Sequence, residues 1–482
     1  MRARGLVWSL LLGVLGCRSP AAPTQAQPPV AGPASAEVGA SESGPGPGSG
    51  SGPERRPVAL MVDAGASPLA EEIDRLAAEL EPAVIGYRRD LHRHPELGNR
   101  EHRTARVIAE HLRTHGWRVR TGVAHTGLVA VLEGGRPGPV VALRADMDGL
   151  PVQEQTGLPF ASTATATWRG QPTPVMHACG HDLHMAIAMG AAEILPRLRE
   201  RLPGTVVLLF QPAEEGAPPG EEGGAALMMK EGALEGPVPE AIFGLHVVPE
   251  PVGEVLYRAG PTMASADRFT VVVRGTQTHG AYPWRGVDPI VVSAQIVLAL
   301  QTIVTRQLDL TRSASVISVG SIQGGVRGNI IPERVELTGT IRTFDEEVRR
   351  QIHERIERTA TKVAEAAGAT AEVEIHLGYP VVDNDPVLVE HMLPTLARVA
   401  GPGRLHERTP VFGAEDFAFY QQRIPGFFFF LGIVPEGTPG EEAASNHSPR
   451  FMADEGALRL GVRAMTHLAV DYLFAAAGGE GP

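Results

Sequence analysis

Apolar positions along the chain fall into helical and strand rhythms that begin near residue 67. Ile73, Leu76, Leu80 and Ile85 recur at helical spacing and predict a first helix running to Leu91-His92. Ser67 reads as its N-cap, Pro68 as a first-turn residue and Glu71 as an early acid. A second helix is expected over residues 100–115, and strands over 127–132 and 140–144. A helix over 181–199 opens on the apolar run Met185-Ala186-Ile187-Ala188-Met189. Val206-Val207-Leu208-Leu209-Phe210 is continuously apolar, as in a strand covered on both faces, and residues 241–245 repeat the pattern.

The rhythm changes over residues 262–377. Strands are expected at 269–274, 314–321, 334–342 and 371–376. One helix starts at Asp288-Pro289 and runs to residue 306; another starts at Asp345, with Val348, Ile352, Ile356 and Val363 on one face. The order β-α-β-β-α-β is the ferredoxin-like split arrangement, here inserted into a larger α/β unit. That unit resumes with a helix over 386–400, an apolar strand over 426–431 and a last helix over 454–474. The expected domains are thus 67–261 and 378–482 for the larger unit and 262–377 for the insertion.

With 482 residues the chain exceeds one ordinary core, and 43% hydrophobic with 20% charged residues is globular composition. A formal net charge of −12 argues against a general nucleic-acid or anionic-membrane surface. At the N-terminus, Arg2 and Arg4 precede an apolar stretch, residues 6–15, too short to span a bilayer. It ends in Val14-Leu15-Gly16-Cys17, which resembles a bacterial lipobox, the signal in which the Cys is lipidated and becomes the mature N-terminus. The alternative is an ordinary secretory signal with an incidental Cys. Residues 18–66 are rich in Pro, Ala, Gly and Ser and read as a flexible linker. The expectation is a signal peptide over 1–17, a lipid anchor as the only membrane contact, and a place on the bacterial cell envelope. Arg18 after the Cys favours the outer membrane.

Candidate chemistry concentrates in Met176-His177-Ala178-Cys179-Gly180-His181-Asp182-Leu183-His184. Thiolate and neutral imidazole are ligands that a borderline divalent ion such as zinc prefers. A hydrogen-bonded polar knot is the blander reading, but the chain has only two cysteines, Cys17 and Cys179. With Cys17 lipidated, Cys179 has no disulfide partner, and a metal would hold it as a protected thiolate. Acids or His also follow three predicted strands directly: Asp146 and Asp148, Glu214-Glu215, and His246. In doubly wound folds, sites form at such strand ends. One carboxylate of Glu214-Glu215 can bind metal while its neighbour acts as base; a solvated acidic loop, as for Glu221-Glu222, is the alternative.

These stretches together resemble the M20 metallopeptidases, in particular their amidohydrolase branch of hippurate hydrolases, aminoacylases and auxin-conjugate hydrolases. The matches, in family order, are Leu91-His92-Arg93-His94-Pro95-Glu96-Leu97, Leu143-Arg144-Ala145-Asp146-Met147-Asp148-Gly149, the His177–His181 cluster, Gln211-Pro212-Ala213-Glu214-Glu215-Gly216, Gly244-Leu245-His246, Gly328-Asn329-Ile330-Ile331-Pro332, Gly413-Ala414-Glu415-Asp416-Phe417 and Asn446-His447-Ser448-Pro449. The resemblance implies a mixed-sheet α/β hydrolase domain with a dinuclear metal site and a ferredoxin-like lid and dimerisation domain. Two divalent ions, of zinc, manganese, cobalt or nickel, would be held by Cys179, His181, Glu215, His246 and His447, with the Cys bridging. Glu214 would be general base on a metal-bridging water and then proton donor to the leaving amine. His177, Asp182 and His184 would orient ligands, and Asp146 and Asp148 would be structural or support them. His279 would stabilise the tetrahedral oxyanion, often from a partner subunit; Asn329 and Arg342 would bind substrate. The implied activity is hydrolysis of the amide of a small N-acyl or N-aroyl amino acid by a homodimer. A dipeptidase of the same superfamily and a lipid-anchored non-catalytic binding protein are the alternatives.

Overall fold

The first described element is the helix announced by Ile73, Leu76 and Leu80. A computed structural model describes residues 65–439 and 442–478, all within the compact unit Pro53–Pro482. The signal peptide, Cys17 and residues 18–64 of the linker lie outside the described residues. Helix α1 is Ala70–Arg93, with Ile73, Leu76, Leu80, Val84 and Leu91 buried. Ser67 is not its cap. Leu69 holds that position without a side-chain cap, and the Ser67 N–H instead donates to Asp471 Oδ1 at 2.9 Å. The start of the larger unit is thereby tied to its last helix.

Helix α2 is His102–Thr114, followed by strands β1 (Arg118–Val123), β2 (Gly127–Glu133) and β3 (Arg136–Asp146). Next come α3 (His181–Leu198), β4 (Pro203–Gln211), β5 (Ala241–Pro251) and β6 (Val255–Tyr257). The inserted segment contributes β7 (Ala266–Arg274), α4 (Pro289–Thr302), β8 (Ser315–Gly324), β9 (Arg334–Thr343), α5 (Glu346–Ala366) and β10 (Thr370–Tyr379). Then α6 (Pro386–Ala400), β11 (Leu405–Glu407), β12 (Gly426–Val434) and α7 (Gly456–Ala476) return to the first unit.

Eight strands form one mixed sheet in the order β1-β2-β4-β3-β5-β12-β6-β11. Strands β4, β3, β5 and β12 are mutually parallel, while β2 runs antiparallel to β4 and β6 antiparallel to β12. One face packs on α1, α3, α6 and α7 through side chains such as Leu76, Ile187, Leu396 and Leu468; the other is covered by Met228, Phe417 and Tyr420. Each fully buried side chain of this kind contributes roughly 1.5–3 kcal/mol. Helix α3 carries the chain from β3 to β4 on one face. The return to β5 passes through the short helix Gly224–Lys230 on the opposite face. The connections that leave β3 and β4 therefore run over opposite faces of the sheet, and a ligand crevice forms at such a switch point.

Strand β5 continues past Leu245, where a strand end was expected. Its ladder with β3 stops at Arg144↔Gly244, but its ladder with β12 continues through Phe430↔His246 to Gly432↔Val248. His246 thus lies in a strand, on the side that β3 has vacated.

The inserted segment forms its own antiparallel sheet, β8-β9-β7-β10. Helices α4 and α5 pack on it through Ile296, Leu300, Ile352 and Ile356 against Phe269, Val271 and Ile341. Asp288 and Asp345 cap these helices as expected, accepting from Ile290 N–H at 2.9 Å and Val348 N–H at 2.8 Å. The helix started by α4 does not stay regular to residue 306: Ile303–Gln307 is a π turn. Strand β10 extends past its predicted end and delivers Tyr379 to the first unit.

Candidate metal centre and active site

Gly180 turns the chain between Cys179 and His181. Its φ is +94°, and a Cβ there would stand 2.3 Å from Val247 Cγ2, so only glycine fits. Cys179, His181 and His246 bring one ligand atom each to within 4.8 Å of one another, and Cys179, Glu215 and His447 do the same. The two triplets share Cys179. Cys179 Sγ lies 3.3 Å from His246 Nε2, and His447 Nε2 lies 2.8 Å from Glu215 Oε1. His447 adopts a left-handed φ of +69°, with its N–H donating to the Ala178 carbonyl at 2.7 Å. Beside it, Asn446 Nδ2 donates to the carbonyls of Cys179 (3.0 Å) and Val247 (3.2 Å), which joins three of the contributing segments.

The imidazoles are aimed by backbone carbonyls. His181 Nδ1 contacts the Asp148 carbonyl at 2.9 Å, and His246 Nδ1 the Val247 carbonyl at 2.7 Å. Each bond directs Nε2 into the site, and His181 Nε2 is buried with no hydrogen-bond partner. Burial works against charge on His181, but Asp146, Asp148 and Glu215 outweigh it and lift it to about 10. Burial, then Glu215 and Glu214, push the Cys179 thiol up. A thiol, three imidazoles and a carboxylate brought this close together are a donor set suited to divalent cations.

Behind the ligands, Asp148 accepts the backbone N–H groups of Glu214 (3.1 Å) and Glu215 (3.0 Å) and so fixes the turn that presents both carboxylates. His184 bridges Asp146 Oδ1 (2.6 Å) to the Val247 N–H (3.0 Å), beside His246. Asp182 does not orient a candidate ligand. It accepts from Arg88 Nε at 2.7 Å and contacts His92 Nδ1 at 2.9 Å. Nor does His177, whose two ring nitrogens are buried and without hydrogen-bond partners. Glu214 is 5% exposed. Burial, then Glu415, Glu215 and Asp416, push its carboxyl well above the usual range, and Arg144 pulls the other way.

Arg144 is the buried hub that the motif alone did not reveal. It donates to Gln211 Oε1 (2.9 Å), Glu415 Oε1 (2.8 Å) and Asp416 Oδ1 (2.9 Å), and pairs with Asp146. Three acids on two distant segments thus share one guanidinium. The only earlier signal was the pair of motifs, Arg144-Ala145-Asp146 and Gly413-Ala414-Glu415-Asp416, whose contact sequence spacing does not show. Tyr379 was also missed; its hydroxyl donates to the Glu214 carbonyl.

A cavity of about 900 Å³ opens over Cys179, Glu214, Glu215, His246 and His447, and Arg342 lies on its wall. His279 and Asn329 do not line it. They sit together elsewhere on the inserted segment, in the pairing His279↔Ile330 and the bond from Gly280 N–H to the Asn329 carbonyl at 2.8 Å. Both are exposed.

The model of peptidase family M20/M25/M40 matches residues 142–471. N-acetylcysteine deacetylase of Bacillus subtilis is 40% identical over 392 residues, covering 81% of this chain and 97% of that protein. Thermostable carboxypeptidase 1 of Saccharolobus solfataricus is 38% identical over 410 residues, 84% of this chain and 99% of that protein. Among solved structures, the Bacillus subtilis YXEP protein, described as a dinuclear metal binding peptidase from the M20 family, aligns with a TM-score of 0.68 at 37% identity, over 82% of this chain and 98% of that one.

Proposed function

The chain belongs to peptidase family M20/M25/M40 and is a metal-dependent hydrolase of amide bonds, and within that chemistry we propose that it cleaves the amide of N-acyl or N-aroyl amino acids. The supporting observation is one cavity that holds a buried carboxylate, Glu214, beside a five-residue ligand set, with Arg342 on its wall. Cys179, His181, Glu215, His246 and His447 would hold two divalent ions. When bound, the ions would polarise the amide carbonyl and acidify the attacking water. Glu214, a buried carboxylate on the cavity lining, accepts the proton of that water and delivers it to the leaving nitrogen. Arg342 is half-buried beside Arg268, and we assign it the substrate carboxylate.

His279 and Asn329 would act on the cavity of a second copy. In support, α4 leaves Ile290, Val291 and Leu298 exposed, at 43%, 53% and 71%, and β8 is an edge strand of its sheet. Length and apolar composition would also let Pro289–Gln307 cross a membrane. Val292, Ile296, Leu300 and Ile303 are instead buried against the inserted sheet, which favours a protein partner for the outer face. A lipid anchor at Cys17, on the outer membrane, remains part of the proposal.

The test is a screen of metal-reconstituted protein against N-acetyl, N-benzoyl and unblocked dipeptide substrates, with metal content measured. Hydrolysis of the blocked amino acids is expected. Turnover confined to peptides would sink the reading in favour of a peptidase, the activity carried in the name of the Saccharolobus relative.

A further inference from the structure

Arg408 is a cation in the active-site cavity that pairs with no carboxylate among the described residues. It follows β11 at the edge of the large sheet, where its backbone N–H donates to the Tyr257 carbonyl at 2.9 Å and its carbonyl accepts from Arg258 Nη1 at 3.4 Å. The main chain therefore holds the loop without help from the guanidinium. The side chain instead reaches across β6 and sets its guanidinium carbon 4.4 Å from the centre of the Phe430 ring. Phe430 is paired in register with His246, so the guanidinium lies one ring away from a candidate metal ligand. Both Arg408 and Phe430 line the cavity.

Stacking on a ring face leaves the edge N–H groups of a guanidinium free. In Arg408, Nη1 is buried and has no hydrogen-bond partner. No carboxylate among the described residues pairs with it; burial works against its charge and Glu250 favours it from a distance too long for an ion pair. A desolvated donor left unsatisfied is costly, and a cation more so, unless something returns to it. The inserted segment adds two cations to the cavity lining, Arg268 and Arg342. Arg268, Thr340 and His376 align in one row across β10, β7 and β9, with Arg342 two residues further along β9. Asp267 does not neutralise them, because Arg349, His353 and the Gly378 N–H occupy its carboxylate.

We propose that Arg408 forms a second anion subsite, so that the preferred substrate is an amide bearing a carboxylate besides the one met by Arg342. This rests on the N-acyl amino acid reading and narrows it to dicarboxylic amides. The second acid belongs either to the amino-acid side chain or to the acyl group.

The test compares acid with neutral isostere on each side of the bond, in metal-loaded protein: N-acetylglutamate against N-acetylglutamine, and N-succinyl-leucine against N-butanoyl-leucine. For at least one pair, kcat/KM of wild type should favour the acid about tenfold or more. Arg408→Leu should bring that ratio to within about twofold, and Arg408→Lys should fall between, because a lysine keeps the charge and loses the fork. The pair that responds tells which side carries the acid. Wild-type ratios near one in both pairs, or a ratio that survives in Arg408→Leu, would overturn the subsite. The same four compounds titrated by calorimetry into metal-loaded Glu214→Gln separate the two readings. A preference for acids that needs Arg408 stands even if none is hydrolysed, whereas hydrolysis without preference removes the subsite and leaves the amide chemistry in place.

Discussion

Glu214 and Gly180 do different work within the same turn-rich cavity. Glu214→Gln keeps size and hydrogen bonding but cannot take a proton, so turnover should fall by about 10²–10⁴-fold while elemental analysis finds the metal still bound. Gly180→Ala puts a methyl where Val247 already stands and forces a left-handed non-glycine residue. Denaturant unfolding should show a loss of about 2–5 kcal/mol. Arg144→Leu leaves Asp146, Glu415 and Asp416 buried around no cation; a loss of about 3–5 kcal/mol is expected by the same measurement. The ligand candidates and Glu214 could be picked out because Cys is scarce, two in 482 residues, and because the His and Glu candidates lie in short motifs or directly after predicted strands. Arg144's partnership with Glu415, 271 residues away, and Tyr379's reach to Glu214 were not, since each arises where separate segments meet. Asp182 misled for a related reason: adjacency to His181 in sequence suggested a shared task, yet the helix turns it toward Arg88 and His92.

At the scale of elements, periodicity located the seven long helices, the central strands β2, β3, β4, β5 and β12 and the four strands of the inserted sheet, but it missed β1, β6, β11 and the short helix Gly224–Lys230, and it misjudged ends. Strand β5 shows why. Its apolar run stops at Leu245, but hydrogen bonding to β12 alone sustains the extended backbone through His246. The missing cap at Ser67 has the same origin, a tertiary acceptor, Asp471, outcompeting the local one. In the inserted segment, Asp267 joins β7 to α5 and β10. Burial works against its charge, but Arg349, His353 and the Gly378 N–H prevail and hold its carboxyl well below the usual range. A carboxyl depressed in the folded state contributes fully above its unfolded value near 3.9 and loses that contribution as pH falls through the folded value. Protection factors of the β7 and β10 amides should therefore fall below about pH 4, and Asp267→Asn should flatten that dependence.

At the scale of the whole molecule, candidate ligands from four segments meet beside the large mixed sheet, so bound cations should brace the fold. Ligand occupancy at about a hundred times Kd adds roughly 2.7 kcal/mol, and chelation should lower Tm by several degrees in calorimetry. On the proposed pairing of two copies through α4, Leu298→Asp, on its exposed face, should shift sedimentation toward the single chain and reduce activity in parallel. The position of His279 and Asn329, outside the cavity of their own chain, has a genetic consequence. If sites are shared, two dead proteins can repair each other. Glu214→Gln mixed with His279→Ala would give mixed pairs in which one of the two cavities draws Glu214 from one chain and His279 from the other. Random pairing of equal amounts should restore about a quarter of wild-type activity, as symmetric exchange of the same surface requires. Full independence of the chains would restore none.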